Sequence, residues 1–184
     1  CGKSTQARMF VNRLRAEGRR SILVKEPGST PTGERIRRLL LQGATPISPW
    51  CELFLYLASR AQLAADVLTD AALRGSVIVV DRYIDSTVAY QGYGRGLPVP
   101  FITEAHRIFL TDLMPSLTFL IDADPRTLRP VLDNKHRDRM ERESLAFQRR
   151  VRQGYLAIAA AEPERVKRIP RMPLKKTALR IAEI

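Results

Sequence analysis

The sequence predicts an α/β fold, a doubly wound parallel sheet of about five strands with helices on both faces. Short runs of β-branched and apolar residues recur along the chain, and most are followed by turn residues and then by a helical pattern. This alternation is typical of βαβ units, in which crossover helices join parallel strands. The length of 184 residues and the 45% hydrophobic content suit one domain with a sizeable core.

The first helix and the first strand follow one another directly. The residues after Ser4 carry an apolar stripe with helical spacing, and Gly18 predicts the end of this helix. The stripe consists of Ala7, Phe10, Val11 and Leu14. The first strand is predicted over Ser21–Lys25, an apolar run that leads into a segment rich in turn residues.

A long helix is predicted between the first and second strands. Ser48 and Pro49 provide an N-cap followed by a proline in the first turn, and Gly75 predicts the end of the helix. Since this stretch is hydrophobic on more than one face, we interpret it as a central helix or a dimer-interface helix. The second strand is predicted over Ser76–Val80, directly after the glycine.

The second half of the chain repeats the alternation of strand and helix. Strands are predicted over Ser116–Ile121 and, from a weaker pattern, over Arg165–Ile169. Asp124-Pro125 predicts the start of one helix, and Leu145–Ala160 carries the spacing of another. No internal repeat, low-complexity stretch or linker interrupts the sequence, so we expect residues 1–184 to form a single domain.

Composition restricts the possible location and partners. No apolar run is long enough to span a membrane, and no secretory signal is present. Cys1 and Cys51 lack the spacing of a metal site or a disulfide framework, which favours a reducing compartment and hence the cytoplasm. The net charge of +12 suggests nucleic-acid binding, but the basic residues are scattered along the whole chain. We therefore expect small phosphorylated anions as ligands, and neither nucleic acid nor a membrane as partner.

The opening residues Gly2, Lys3, Ser4 and Thr5 match the second half of a phosphate-binding P-loop, G-x-x-x-x-G-K-[ST]. In this motif backbone N–H groups surround a phosphate, the lysine reaches the β- and γ-phosphates, and the hydroxyl binds Mg2+. Since a P-loop follows a strand, we expect that strand, about ten residues with the rest of the loop, to precede Cys1. Alone the match is weak, because an ordinary capped surface helix would look similar.

Three further segments lie where a parallel sheet of this kind binds its ligands. EPGSTPTGERIRRLLLQG follows the first strand, DRYIDSTVAYQGYGRGL follows the second, and DNKHRDRMERESLAF precedes the helix that starts at Leu145. Together with GKSTQ, these segments resemble the bacterial thymidylate kinases, P-loop enzymes that phosphorylate dTMP with ATP. The resemblance runs from Cys1 to about Tyr155, and it depends on the combination of motifs because each one alone is unspecific.

The resemblance implies a donor site for ATP and Mg2+. Lys3 would hold the donor phosphates with help from Gly2 and Thr5, and Ser4 would bind Mg2+. Asp81, an acid at the end of the second strand, would orient Mg2+ through water; the alternative is a buried Asp81–Arg82 ion pair that closes the strand end. These roles suit phosphoryl transfer, which needs positioning and charge neutralisation more than covalent catalysis.

The resemblance also implies an acceptor site for dTMP. The matching positions are Arg37 and Arg82 for the phosphate, Tyr56 for stacking, Arg60, Gln91 and Thr87 for the base, and Tyr90 for the sugar. Tyr90 would disfavour ribonucleotides by occupying the place of a 2′-hydroxyl, although core packing is the alternative role for both tyrosines. Glu26 matches a loop acid near the metal. The family usually has two glycines after Glu-Pro, so Ser29 is strained if its backbone needs a positive φ.

The segment Asn134–Glu143 is too polar for a core and resembles the mobile lid of this family. In bacterial-type members a lid arginine supplies positive charge to the transition state. Arg139 is our first candidate for that catalytic role and Arg137 the second, while Asp138 and Glu141 would pin the lid or reach the acceptor sugar.

We therefore expect a homodimeric, cytoplasmic thymidylate kinase that converts ATP and dTMP into ADP and dTDP with Mg2+. One alternative is a related P-loop kinase for another nucleotide or a deoxynucleoside. Another is a basic nucleic-acid-binding protein that keeps a P-loop scaffold, and a third is an inactive remnant that truly starts at Cys1.

Overall fold

A computed structural model describes residues 2–42, 45–127 and 138–184 of the chain. The strands in these ranges are β1 (Ser21–Lys25), β2 (Val77–Asp81), β3 (Thr118–Asp122) and β4 (Val166–Pro170). Each lies within two residues of its predicted bounds. The apolar runs and the turn residues beside them were therefore sufficient to locate the strands.

The strands of the described residues form two parallel pairs. β1 lies beside β2, with Ser21 opposite Val77 and Lys25 opposite Asp81. β3 lies beside β4, with Thr118 opposite Val166. The parallel α/β architecture agrees with the prediction, but the described residues contain four strands in two sheets and not one sheet of about five.

Helices follow and separate the strands, and they include three that the sequence predicts and several that it does not. In chain order they are α1 (Lys3–Ala16), α2 (Pro31–Gln42), α3 (Pro49–Leu63), α4 (Thr69–Leu73), α5 (Ile84–Thr87), α6 (Val99–Leu110), α7 (Leu145–Ala161) and α8 (Leu174–Ala182). π-helical turns at Ala64–Leu68 and Val88–Gly94 continue α3 and α5, and a 3-10 turn, Thr111–Leu113, follows α6. Among the described residues, none of these helices combines the length and the apolar character that crossing a membrane requires.

Capping residues set the bounds of the two long helices. The Ser48 hydroxyl accepts a hydrogen bond from the Cys51 amide at the start of α3, and the Ser144 hydroxyl does the same for Phe147 at the start of α7. From Pro49 the helical path continues through the π-helical turn to the end of α4, and Gly75 follows with a φ of 66°. The predicted single long helix between the first two strands is thus confirmed, with a π-helical turn in its course.

Three groups of buried side chains form the core. The first lies under β1 and β2, the second joins α2 and α7 to the π-helical turn after α5, and the third lies between α3, α6 and β4. Contact in the second group is close: a Cβ at Gly94 would lie 2.8 Å from the Phe147 ring. This packing fixes the segment after β2, which carries several predicted site residues, against α7.

Candidate active site

The carboxyl ends of β1 and β2 bring the first helix and two loops together. Lys25 and Asp81 are paired in register at these ends, and the loop after β1 starts with Glu26, whose amide donates to the Asp81 carbonyl at 3.2 Å. α1 packs against both strands. Parallel sheets bind their ligands beyond this edge, so the candidate site lies where the sequence predicts it.

The half P-loop adopts a conformation that suits its predicted role. Gly2 has a φ of 87°, a left-handed conformation that residues with a side chain rarely adopt, and α1 starts at the next residue. The Ser4 hydroxyl at the start of α1 donates a hydrogen bond to a carboxylate oxygen of Asp81 at the end of β2. The two side chains predicted to bind Mg2+ are therefore direct neighbours, although they lie far apart in the sequence.

Lys3 is half-buried among charged groups. The Arg82 guanidinium and burial lower the pKa of the Lys3 ammonium to about 8, while Tyr90, Asp81 and Glu141 act in the opposite direction. Neighbouring charges change the pKa of Lys3 this much only when they lie close to its ammonium group. Lys3, Arg82, Asp81 and the lid-side carboxylate of Glu141 thus belong to one site.

Arg82 is held in an unusual backbone conformation directly after Asp81. Its φ of 71° is left-handed, which for a side chain of this size costs on the order of 1–2 kcal/mol. The guanidinium carbon lies 5.1 Å from the centre of the Tyr90 ring, and its nitrogens are 3.4 Å from the hydroxyls of Tyr90 and Tyr155. These hydrogen bonds are long, so the guanidinium can take a phosphate oxygen as a stronger partner.

The loop after β1 confirms the expected backbone requirement at Ser29. Its φ is 66°, and Gly28 before it has a φ of 131°. The Ser29 hydroxyl donates to the Lys25 carbonyl at 3.0 Å and accepts from the Lys25 amide at 2.9 Å, which offsets part of the strain. Arg37 on α2 donates to the Pro27 carbonyl at 2.8 Å, so this predicted phosphate ligand does reach the same loop.

Arg60 is the centre of a buried polar cluster. Its side chain is 2% exposed; Nε and Nη2 lie 2.6 Å from one oxygen of Glu26, and Nη1 donates to the Thr87 hydroxyl at 2.8 Å. The His106 ring also contacts Nη1. The structure therefore brings together Arg60 and Thr87, two predicted base contacts, and it places Glu26 as the ion-pair partner of Arg60.

Gln91 and Arg139 both donate hydrogen bonds to the carboxylate of Glu52, a residue that was not predicted as part of the site. Glu52 on α3 is fully buried; its oxygens accept from Gln91 at 2.8 Å and from Arg139 at 2.6 Å. Arg95 donates to both Glu52 oxygens, at 3.0 and 2.9 Å. A single acid in the apolar stretch PWCELFLYL was the available signal for this residue, because a buried carboxylate needs partners.

Arg139 does not face the P-loop in this arrangement. Besides its ion pair with Glu52, its Nε donates to the Leu40 carbonyl at the end of α2, at 2.7 Å. These bonds hold the guanidinium between α2 and α3, whereas the first-choice catalytic role predicted from the sequence requires it at the phosphates. The second candidate, Arg137, and the first four residues of the predicted lid, 134–137, lie outside the described residues.

The end of the predicted lid nearest to α7 is described. The Glu141 amide donates to the Asp138 carboxylate at 2.9 Å, so this pair caps the turn that carries Arg139 and Met140. Met140 is buried in the second core group. Since Glu141 influences Lys3, the D-R-M-E segment reaches the phosphate side of the site through its glutamate.

Tyr56 and Tyr90 lie between the core and the site. Both are half-buried and pack against the second core group, and the Tyr90 ring has edge contact with Tyr155. Burial is the main cause that raises the pKa of the Tyr56 hydroxyl, with the Glu52 charge as the next. Their positions fit both interpretations made from the sequence, a core role and a place beside the ligand.

The protein groups available to a metal are few. Among the described residues, no three side chains of His, Cys, Asp or Glu come together as a metal site. Mg2+ in kinases is usually held by one or two protein oxygens together with water and substrate phosphates, so Ser4 and Asp81 suffice for such a site.

Comparisons with known proteins agree with one another on the family that this chain resembles. The family model described as thymidylate kinase matches residues 1–178. A thymidylate kinase of Synechococcus sp. (strain JA-2-3B'a(2-13)) is 46% identical over 168 residues, which cover 91% of this chain and 80% of the relative. A thymidylate kinase of Deinococcus radiodurans is 46% identical over 165 residues, 89% of this chain and 80% of the relative. The crystal structure of thymidylate kinase from Ehrlichia chaffeensis superposes with a TM-score of 0.81 at 28% identity, covering 99% of this chain and 90% of that one.

Proposed function

Because this chain belongs to the thymidylate kinase family, we propose that the site around Lys3 and Asp81 carries the family reaction. The chain phosphorylates dTMP to dTDP with ATP as the phosphate donor. We propose which residues carry out this phosphoryl transfer. One observation carries it: the hydroxyl of Ser4 and the carboxylate of Asp81 are in contact, beside Lys3.

Lys3 binds the β- and γ-phosphates of ATP, and the backbone around Gly2 and Thr5 surrounds them. Ser4 and Asp81 would hold Mg2+, directly or through water, and the ion would neutralise charge on the transferring phosphoryl group. A phosphate oxygen of dTMP attacks the γ-phosphorus in line, the bond from phosphorus to the β–γ bridging oxygen breaks, and ADP leaves with that electron pair.

The acceptor phosphate binds between Arg82 and Arg37. The two residues follow different strands, and each brings a guanidinium to the same edge of β1 and β2. A guanidinium presents paired N–H groups that match phosphate oxygens, so two of them fix the dTMP phosphate in place. Tyr90 lies against the sugar, and its contact with Arg82 links sugar recognition to phosphate recognition.

Arg60 and Thr87 read the thymine base, with Tyr56 as its stacking partner. Gln91 completes the base site, and its bond to Glu52 fixes the orientation of its amide. A lid arginine, Arg137 or Arg139, supplies positive charge to the transition state. Arg139 would have to break its ion pair with Glu52 to reach the phosphates, so Arg137 is the favoured candidate for this role.

Steady-state kinetics on the full-length protein test this assignment. We expect Lys3→Ala and Asp81→Asn each to lower kcat strongly while dTMP binding survives, because both act on the donor side. Arg107→Ala is the control, since Arg107 is exposed on α6 and has only a weak contact with Glu104. Near-normal turnover in Lys3→Ala would contradict the proposal.

We propose a homodimer that buries an aromatic face of α3 and α6. Trp50, Phe54 and Phe101 are each about half-exposed, and their ring centres lie 5.4 to 6.4 Å apart. Exposed aromatic groups of this kind are typical of interfaces. Cys51 beside them is exposed as well, and a free surface thiol fits a reducing compartment such as the cytoplasm.

A further inference from the structure

His106 has no place in the reaction described above, yet it is almost completely buried. It lies on α6, is 1% exposed, and has no second histidine, cysteine or carboxylate grouped with it as a metal site among the described residues. Its Nε2 contacts Nη1 of Arg60 on α3. A buried polar ring that touches a predicted substrate ligand requires an explanation.

The contact with Arg60 determines which nitrogen of the His106 ring carries the proton. A guanidinium has donors only, so the contact is a hydrogen bond only if Nε2 is the unprotonated, accepting nitrogen. The proton of the neutral ring then resides on Nδ1. That atom is buried and has no hydrogen-bond partner among the described residues, although the Ile102 backbone one turn earlier acts to raise the pKa of the ring. Burial and the Arg60 charge lower the pKa of His106 to about 3, which keeps the ring neutral.

His106 is one of the partners that occupy the N–H groups of the Arg60 guanidinium. A guanidinium has five N–H groups. The two on Nη1 go to Thr87 and His106, and Nε–H goes to Glu26. Nη2 forms an ion pair with the same Glu26 oxygen at 2.6 Å, which occupies the N–H on that side. Among the described residues this leaves one N–H, on Nη2. The plane of the guanidinium is thereby fixed from three elements, with the Tyr83 ring 5.2 Å from its carbon.

We propose that His106 is a positioning residue that orients Arg60 to offer a single donor to the pyrimidine base. The inference rests on the proposed function, in which Arg60 reads thymine. One fixed N–H suits a carbonyl oxygen at position 4 of the base. An amino group at position 4 would place two donors face to face, which is unfavourable. The arrangement therefore favours dTMP over dCMP. Without His106, the Nη1 end of the guanidinium loses a partner and its orientation is less restricted.

Kinetics with dTMP and dCMP as acceptors test the proposal. His106→Leu removes the acceptor, and we expect the KM for dTMP to rise roughly tenfold and the preference for dTMP over dCMP to narrow, because a hydrogen bond to a charged group is lost. The KM for ATP should not change. His106→Gln keeps an accepting oxygen and should retain most of the preference, while Arg107→Ala, the next residue on the exposed face of α6, should match the wild type.

The outcomes separate this inference from the function on which it rests. If His106→Leu keeps the wild-type KM and preference, or if His106→Gln loses as much as His106→Leu, His106 only fills the core. Arg60→Met is the second arm: an unchanged preference there overturns the base-reading role of Arg60 itself. Imidazole nitrogen NMR shifts of the wild type give a test without variants. A ring protonated on Nδ1 and bare on Nε2 at neutral pH supports the proposal, and the opposite tautomer overturns it.

Discussion

At the scale of single residues, Lys3 connects the electrostatics of the site to a measurable pH dependence. Its pKa of about 8 means that the ammonium loses its proton just above neutral pH in the free enzyme. Only the charged form attracts ATP phosphates, so we expect kcat/KM for ATP to fall as the pH rises through about 8. Lys3→Arg stays charged and should give a lower but flat profile between pH 7 and 9. A wild-type profile that is flat to pH 10 would contradict this prediction.

Ser29 shows how one side chain can offset the strain of its own backbone. Ser29→Ala keeps the left-handed backbone and loses both hydroxyl bonds to Lys25, so we expect the free energy of unfolding to fall by about 1–2 kcal/mol. Ser29→Gly loses the same bonds but relieves the strain, and should stay within about 1 kcal/mol of the wild type. Urea unfolding of both variants measures the difference. Equal losses would mean that the positive φ carries no cost.

At the scale of elements, Arg139 joins the end of the predicted lid to α2 and α3. Arg139→Ala removes two hydrogen bonds, to Leu40 and to buried Glu52, and should lower the free energy of unfolding by about 1–3 kcal/mol. Arg137→Ala should lower kcat more than Arg139→Ala. Parallel kinetics and denaturation of the two variants decide between the arginines.

Glu52→Gln tests the same ion pair from the α3 side. It also removes the charge that pairs with Arg95, so its stability loss should be at least as large as that of Arg139→Ala. If Arg139→Ala instead loses most of its kcat at wild-type stability, Arg139 leaves Glu52 during the reaction and the role predicted from the sequence is restored.

At the scale of the whole molecule, the aromatic face on α3 and α6 predicts the state of association. Phe54→Lys places a charge at the centre of Trp50, Phe54 and Phe101, and we expect it to shift sedimentation from dimer to monomer. Leu73→Lys, on the exposed side of α4 and outside this face, is the control. A wild type that sediments as a monomer at micromolar concentration would exclude the proposed dimer.

The sequence predicted the four strands and the three longest helices, α1, α3 and α7, well because their signals are local. It did not predict α2, α5 or α6. Ser48 and Gly75 mark helix ends by their local chemistry, and these marks need no knowledge of the partners in space. The expectation for Ser29 came instead from the resemblance, because the family usually has a glycine at this position, and the observed φ of 66° agrees with it. The single-domain boundary and the lid over residues 134–143 stay predictions.

The site was predicted less completely because its pairings are distant in the chain. Nothing near Glu52 shows that its partners lie 39, 43 and 87 residues away, at Gln91, Arg95 and Arg139. The same applies to His106 and Arg60, which are 46 residues apart. A motif identifies which residue types a reaction needs, but it does not show which buried charges hold those residues in place.

The shared Glu52 carboxylate restricts which substitutions this protein can accept during evolution. Gln91, Arg95 and Arg139 share it, so a mutation at Glu52 would leave two guanidinium groups short of a buried counter-charge at once. Effects at these positions cannot add independently. During divergence the four positions are therefore expected to be inherited together or exchanged together, and an ancestor that lost the acid would have had to replace its arginines before the loss could be tolerated.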